Sequence, residues 1–383
     1  MTLKFINNML KPQHNNLNTF IVKFASPCNL NCTYCYEYNT GDDSWKSKPK
    51  YFSLENAILL NKRLKEYLVK TEHNYINIIG HGGEPLLMGA EKLNILFENL
   101  VSGIQDKIKL GIQTNGVLVN EAIINVLKKY NVRCGVSLDG NKEHNKHRVN
   151  HAGKNTYDDV LTGYTLLAKN NLVSGILCVT DFTNDPIDVV DSLCLLDPQP
   201  IQIDFLHPFV NHDNPKGINQ LGIEYKNWVI KAFDYYMNTK KYHHIKIRLF
   251  ESALFSTLSG KSNSDWFGGP LGKYLVVETD GNYDILDHLK SIGSYGKKLS
   301  NLNMNLNNNT LFSAYEKIWD VLDSINMKQI PDLCKDCTHV KACSGGYYPT
   351  RYSSVNNSLN NPSAYCKGLF AFFDHLKLNY ANK

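Results

Sequence analysis

The sequence predicts an α/β fold built on a parallel sheet, and three observations support this prediction. Between residue 19 and about residue 208, short β-branched runs alternate with longer stretches of helical period. Six such β-then-α units in series are typical of a parallel sheet, either doubly wound or curled into a barrel. Polar and glycine-rich motifs follow four of the expected strands, and parallel sheets collect their chemistry at that edge.

The expected strands are short apolar runs, and the segments between them have helical spacing. Ser53 stands before the first helical run, where a serine hydroxyl can cap the free backbone N–H groups. The helices with the clearest pattern are expected over 54–69 and 121–129. Strands are expected over 20–25, 75–80, 108–113, 132–138, 175–179 and 201–206.

After residue 210 the pattern changes. Residues 219–260 have helical spacing, and a further helix is expected near 311–325. Asp280-Gly281 stands between two strand-like runs, which is typical of a β-hairpin. The Asn-rich stretch 301–309 is expected to be a loop.

The overall composition excludes several function classes. Hydrophobic residues make up 43% and charged residues 20% of the chain, as in ordinary globular proteins. No run approaches the roughly 18 apolar residues of a membrane span, and the N-terminus has no secretory signal pattern. We therefore expect a cytoplasmic protein that does not enter a membrane. The net charge of +5 is spread along the chain, so we expect no nucleic-acid partner.

Ten cysteines in a reducing compartment indicate metal binding or catalysis rather than disulfides. Cys28, Cys32 and Cys35 form a CxxxCxxC element just after the first expected strand. Three thiolates at this spacing can hold three irons of a cubane and leave the fourth iron open. Zinc would need a fourth Cys or His nearby, and none is obvious.

This pattern resembles the radical S-adenosylmethionine (SAM) superfamily. The order of the motifs matches that family: the CxxxCxxC element, the Gly-Gly-Glu-Pro element, and Ser-Leu-Asp-Gly followed by His and Arg. Asn145 stands where the family usually has Asp. The resemblance implies a 4Fe–4S cluster on Cys28, Cys32 and Cys35. It also implies SAM contacts at these positions: Tyr34, Tyr36, Gly82, Gly83, Glu84, Pro85, Asn115, Ser137, Asp139 and Arg148.

The remaining cysteine group lies near the C-terminus, at Cys334, Cys337, Cys343 and Cys366. Spacing alone allows either zinc or a cubane. The segment resembles the SPASM extension of radical SAM peptide maturases, which carries two auxiliary clusters. The resemblance implies a partial (β/α)6 TIM-like barrel with a C-terminal SPASM-type iron–sulfur extension.

Three ligand positions of the full SPASM pattern are not cysteines in this sequence. Tyr347 and Leu286 stand at two of them, and residues 268–271 lie near the third. The resemblance assigns these positions to the inner cluster and the four tail cysteines to the outer one. We therefore expect two 4Fe–4S clusters in total, one that binds SAM and one auxiliary. Asp287 stands where sulfatase-maturing relatives have a proposed proton acceptor, although a solvated turn residue is the alternative.

The resemblance implies four segments: a radical SAM barrel over 1–215, a helical connector over 216–265, a hairpin and bridging region over 266–330, and a SPASM-type domain over 331–383. The segments around Asp204-Phe-Leu-His-Pro208 and Arg351 resemble cyclophane-forming, darobactin synthase-like maturases of ribosomally made peptides. We therefore expect the enzyme to join an aromatic ring carbon to a β-carbon of a precursor peptide, and an ether link is a variant of this hypothesis.

The implied partners are the precursor peptide and an external flavodoxin- or ferredoxin-type electron donor. Fewer than twenty residues precede the first strand, so we expect the substrate to dock on the barrel face, on an exposed sheet edge or through a separate leader-binding protein. An alternative is a sulfatase-maturing, formylglycine-forming enzyme, against which the missing inner ligands count because that relative keeps both auxiliary clusters. A non-catalytic metal-binding module on a decayed barrel is a third possibility, against which the intact motifs argue.

Overall fold

The structure is a computed structural model that describes residues 17–40, 42–269, 274–285, 287–293, 295–296, 301–324 and 330–380. Six parallel strands form the centre of one curved sheet, in the order of the sequence. The strands are β1 (Thr19–Ala25), β2 (Ile76–Gly82), β3 (Ile108–Thr114), β4 (Arg133–Ser137), β5 (Val173–Val179) and β6 (Gln202–Leu206). The predicted α/β fold with a parallel sheet is confirmed. No helix in the described ranges is long and apolar enough to cross a membrane.

Helices connect the strands, and side-chain caps set where several of them begin. The Ser53 hydroxyl accepts a hydrogen bond from the Asn56 N–H, as the sequence predicts. Asn120 and Asp185 cap two further helices in the same way. The connecting helices are α1 (Leu54–Thr71), α2 (Gly89–Val101), α3 (Glu121–Lys129), α4 (Tyr157–Lys169) and α5 (Pro186–Cys194).

The region predicted to be one helical stretch after residue 216 is interrupted. It contains α6 (Gly217–Thr239), the short strand β7 (Lys246–Ile247) and α7 (Arg248–Ser259). Helix α6 ends because Lys240 takes a left-handed conformation, and β7 then pairs with β6 at the end of the sheet. The segment that begins at Lys240 connects α6 to β7. Two of its side chains, Tyr242 and Ile245, are buried and pack into the core.

A hairpin extends the sheet on its other side. Strand β8 (Tyr274–Val277) pairs parallel with β1, and β9 (Asn282–Asp284) pairs antiparallel with β8. Beyond β9 lies β10 (Asn301–Asn305), in the stretch that we expected to be a loop. That prediction was wrong because Leu302 alternates with asparagines and is buried, which is the period of a strand. The sheet therefore runs from β10 to β7 as an open surface of ten described strands.

The C-terminal part of the chain folds back onto this framework. Helix α8 (Leu311–Ser324) packs against α1 and β10, and the single turn α9 (Val340–Cys343) packs against α7. Helix α10 (Cys366–Tyr380) lies along α6, where the Phe233 ring meets Phe372 at 5.6 Å and Tyr380 at 5.1 Å between ring centroids. This aromatic contact fixes the cysteine-rich tail to the helical layer of the barrel.

Candidate active site

The loop after β1 carries the first three cysteines. The segment beside it holds its backbone in place: the Asn31 N–H donates to the Val149 carbonyl at 2.8 Å, and the Thr33 N–H donates to the His147 carbonyl at 3.0 Å. Burial raises the pKa of Cys28 to about 12, and it raises the pKa of Cys35 to about 11 and that of Cys32 as well. The thiols therefore hold their protons until a cation displaces them, as expected of metal ligands enclosed by protein.

The Gly-Gly-Glu-Pro element lies directly under this loop. A β-carbon on Gly83 would come within 2.1 Å of the Pro27 carbonyl oxygen, so only glycine permits this approach of the two backbones. The completely buried carboxylate of Glu84 accepts hydrogen bonds from the Thr114 hydroxyl at 2.7 Å and from the Asn115 N–H at 2.7 Å. These hydrogen bonds connect the end of β2 to the turn after β3, and the Glu84 side chain lies beneath the cysteine loop.

Tyr34, Asp139 and Arg148 form one hydrogen-bonded group beside the cysteine loop. The Tyr34 hydroxyl donates to Asp139 Oδ2 at 2.5 Å and accepts from Arg148 Nη1 at 2.9 Å. Arg148 is 5% exposed, and its Nε has no hydrogen-bond partner among the described residues. A buried guanidinium N–H without a partner is costly, so this atom suits an anionic ligand such as a carboxylate. The SAM carboxylate fits this position.

The other residues predicted to bind SAM lie around the same opening. Asn115 donates through Nδ2 to Asn29 at 2.8 Å, and the same amide is 3.8 Å from Cys28 Sγ. Ser137 ends β4 and accepts a hydrogen bond from Gln113 Nε2 at 2.9 Å. The ten residues predicted to bind the cofactor all lie at or after the carboxyl ends of β1 to β4, and their role stays a prediction: Tyr34, Tyr36, Gly82, Gly83, Glu84, Pro85, Asn115, Ser137, Asp139 and Arg148.

A cavity of about 260 Å³ opens beside this group, at the carboxyl ends of β4, β5 and β6. Tyr34 and Asp139 line its inner end, and Phe182, Glu224 and Tyr365 are among the residues of its outer wall. Tyr365 is the residue just before Cys366, the last of the tail cysteines. The C-terminal segment therefore forms part of the cavity wall. Cavities at this edge of a parallel sheet are where substrates bind.

The four tail cysteines form the second site. Cys334, Cys337, Cys343 and Cys366 line one enclosed hollow, and the Gly345 N–H donates a hydrogen bond to the Cys343 sulfur. No group of three or more His, Cys, Asp or Glu side chains in the described part of the chain is placed so that it could hold a metal ion. A cubane spreads four cysteine sulfurs over four irons. The residue types of this hollow fit such a cluster.

Aromatic side chains fill the neighbourhood of Tyr347, one of the positions where an inner cluster would need a cysteine. The Tyr347 ring is buried and meets Trp266 at 4.3 Å and His288 at 5.1 Å. A β-carbon on Gly268 would come within 2.5 Å of the Ser344 carbonyl, so no side chain fits there. These contacts argue against a metal ligand at Tyr347 and at Gly268. Leu286 and residues 270 and 271 of the range 268–271 lie outside the described residues.

Two features lie in or just after the hairpin of β8 and β9. They are the predicted proton acceptor, Asp287, and a buried group of ion pairs around Glu278. Asp287 begins a helical turn, Asp287–Ile292, and its side chain lies outside the described part of the structure. Sequence reasoning missed the ionic group behind it, in which Glu278 accepts from Lys290 at 2.5 Å and lies 3.9 Å from Lys23. Lys23 also donates to Glu37 at 2.5 Å, two residues after Cys35. A lysine inside the apolar run of β1 was the signal that could have revealed it.

Known proteins are similar to this chain in sequence and in fold. Residues 22–193 match the Radical SAM superfamily. The chain is 26% identical over 374 residues to a cysteine-type anaerobic sulfatase-maturating enzyme of Clostridium perfringens, covering 94% of this chain and 96% of that enzyme. It is 24% identical over 384 residues to a serine-type enzyme of Bacteroides thetaiotaomicron, covering 94% and 89%. The solved structure of native anSMEcpe with bound AdoMet and Cp18Cys peptide matches with a TM-score of 0.76 at 24% identity, covering 95% and 98%.

These similarities correct one prediction. The hypothesis of a cyclophane-forming enzyme is wrong, because relatives that align over nearly the whole chain are sulfatase-maturating enzymes. The formylglycine-forming alternative is better supported. The fold match, by contrast, agrees with the predicted partial barrel and its C-terminal extension. Residues 22–193 are a radical SAM domain in a fold with a SPASM-like extension, and the protein is a radical SAM enzyme, a class that uses SAM and 4Fe–4S clusters.

Proposed function

We propose that this protein is a peptide-modifying enzyme of the sulfatase-maturating kind, which oxidises a Cys or Ser side chain of a peptide substrate to formylglycine. The observation that carries the proposal is the similarity to cysteine-type and serine-type sulfatase-maturating enzymes, which covers 94% of this chain in both cases. The cysteine loop, the buried guanidinium of Arg148 and the cavity beside them supply the features that this chemistry needs.

At the first site, Cys28, Cys32 and Cys35 would hold a cluster with one open iron, and Arg148 would receive the SAM carboxylate. When bound, these cofactors supply the removal of a hydrogen atom from the β-carbon of the substrate residue. The protein's own part is to orient and to exclude water. The hydrogen bond to the Tyr34 hydroxyl orients the Arg148 side chain. The close packing of Gly83 against the Pro27 carbonyl fixes the backbone beneath the cysteine loop.

Loss of a hydrogen atom from the β-carbon leaves one proton and one electron to be removed before the carbon–sulfur or carbon–oxygen double bond forms. We assign the proton to Asp287, which begins the turn after the hairpin. We assign the electron to the C-terminal site formed by the four tail cysteines. For a serine the product is the aldehyde itself, and for a cysteine hydrolysis of the thioaldehyde gives the aldehyde and hydrogen sulfide.

The tail site carries the whole electron-accepting role in this proposal, because Tyr347, packed against Trp266, stands where an inner cluster would need a cysteine. The missing inner ligands therefore change the electron path and leave the reaction at the β-carbon as it is. We further propose a flavodoxin- or ferredoxin-type donor that reduces the first site before each turnover. A separate leader-binding protein stays a prediction.

The test is an anaerobic assay with reconstituted protein, SAM, a reductant and two peptides that differ only in carrying Cys or Ser at the target position. We expect 5′-deoxyadenosine and a peptide product that reacts with an aldehyde-specific hydrazide. The serine product should lose two hydrogens, and a crosslinked peptide would lose the same mass without reacting with the hydrazide. Cys32→Ala is the control, since it removes a cluster ligand. SAM cleavage without any hydrazide-reactive product from either peptide would contradict the proposal.

A further inference from the structure

A buried positive charge lies beside the C-terminal cysteine site. Arg351 is 1% exposed, and its Nε donates to the Leu359 carbonyl at 3.1 Å. Its guanidinium lies over the Tyr348 ring, 4.8 Å from the centroid. A β-carbon on Gly345, which lines the cysteine hollow, would be 3.7 Å from Arg351 Nη1. The guanidinium therefore lies at the wall of the cysteine site.

The buried guanidinium and the cysteine hollow are neighbours through Gly345, which lines the hollow and has Arg351 on its other side. Burying a guanidinium costs several kcal/mol unless an anion compensates it. Four thiolates around a cubane provide such an anion, because their charge exceeds that of the cluster core.

We propose that Arg351 is the counter-charge of the auxiliary cluster and raises its reduction potential. Reduction adds a negative charge to a cluster that is already anionic. A fixed cation in a low-dielectric wall lowers the cost of this charge, and nearby charge and hydrogen bonds to the sulfurs are known determinants of cluster potential. In an enzyme that has one auxiliary site, this effect would keep that site able to accept the substrate electron. The inference rests on the auxiliary cluster of the proposed function.

Lys367 is the matched control on the same site. It adjoins Cys366 in the chain, but its own side chain is exposed to solvent. Water and salt screen an exposed charge far more than a buried one. Removing the Lys367 charge should therefore leave the cluster potential nearly unchanged, whereas removing the Arg351 charge should not.

The test is an EPR-monitored redox titration of the reconstituted full-length protein and of Arg351→Gln, Arg351→Lys and Lys367→Gln. The auxiliary signal is identified as the one that SAM does not alter. We expect a clearly more negative midpoint potential in Arg351→Gln, a smaller shift in Arg351→Lys, and none in Lys367→Gln. Loss of auxiliary iron in Arg351→Gln with retention in Arg351→Lys would also support the counter-charge.

Three results would overturn the inference. The first is an unchanged potential in Arg351→Gln with full iron content. The second is equal loss of the cluster in Arg351→Gln and Arg351→Lys, since the shared defect would then not be charge. The third is the absence of any SAM-independent signal in the wild-type protein, which would remove the auxiliary cluster itself. The peptide assay reports on formylglycine formation separately, so a failure there is distinguishable from a failure here.

Discussion

Replacing Tyr34 by phenylalanine tests whether the Tyr34–Asp139–Arg148 group holds the SAM site. The hydroxyl makes two hydrogen bonds, at 2.5 Å to Asp139 and at 2.9 Å from Arg148, and both partners are at most 5% exposed. A hydrogen bond to a charged group contributes about 1.5–3 kcal/mol. Because one hydroxyl serves both bonds, their contributions are not additive, and we expect Tyr34→Phe to lower the free energy of unfolding by about 2–4 kcal/mol.

Part of this loss should appear in SAM affinity, because Arg148 loses the contact that fixes its direction. A share of about 1.4 kcal/mol corresponds to a tenfold rise in Kd. Anaerobic calorimetry measures SAM binding, and urea denaturation measures stability. The control is Tyr67→Phe, which loses one buried hydrogen bond to the neutral Leu17 carbonyl, at 2.7 Å, in a helix away from the site. It should cost about 0.5–1.5 kcal/mol and leave the Kd unchanged. A Tyr34→Phe protein with wild-type Kd and stability would refute the reasoning.

Three further predictions concern the hairpin and the tail. Burial, with Glu278 nearby, raises the pKa of Asp284 to about 7. The contribution of Asp284 to the free energy of unfolding is therefore full below about pH 4 and is lost as the pH rises through 7. Urea unfolding midpoints measured from pH 5 to 8 should fall in the wild type and fall less in Asp284→Asn. Iron analysis should give about eight irons per chain, and Cys334→Ala should lose about four of them while the SAM-sensitive EPR signal persists. Tyr347→Cys should bind no additional iron, because Leu286 and residues 268–271 supply no further cysteine ligand, and a gain of about four irons would show that an inner site can form.

Local patterns predicted the barrel well because each element depends on residues close in sequence. Helix α3 has its predicted bounds, and the Ser53 cap follows from a hydroxyl placed three residues before a free N–H. Strand β8 beside β1 was not predictable in this way, since the Thr19–Tyr274 pairing joins distant parts of the chain. The ion pair of Lys23 with Glu37 depends on the same tertiary packing, and a sequence pattern gives only the anomaly of a charge in an apolar strand.

The error about substrate class has a chemical reason. The missing inner ligands count against the sulfatase-maturing alternative in the sequence analysis, but a missing cluster ligand changes where an electron goes and not which bond forms. Only contacts with the peptide decide the product, and those depend on the cavity between Tyr34 and Tyr365. Sequence similarity over nearly the whole chain includes the residues that line this cavity, whereas the three ligand positions of the inner cluster do not represent it.

Strand β8 places the hairpin beside β1 and the loop that carries the first three cysteines. The turn after β8 carries Thr279, whose hydroxyl is 2.8 Å from that of Ser26, two residues before Cys28. Glu278 in the same turn lies between Lys290 and Lys23, so the hairpin is bonded to the floor of the cysteine loop. Breaking a buried pair of this kind costs about 3–5 kcal/mol, which opposes movement of the hairpin away from the loop. On the tail side, the Tyr347 ring packs against Trp266 with 4.3 Å between the ring centroids, so the segment before the hairpin contacts the tail directly.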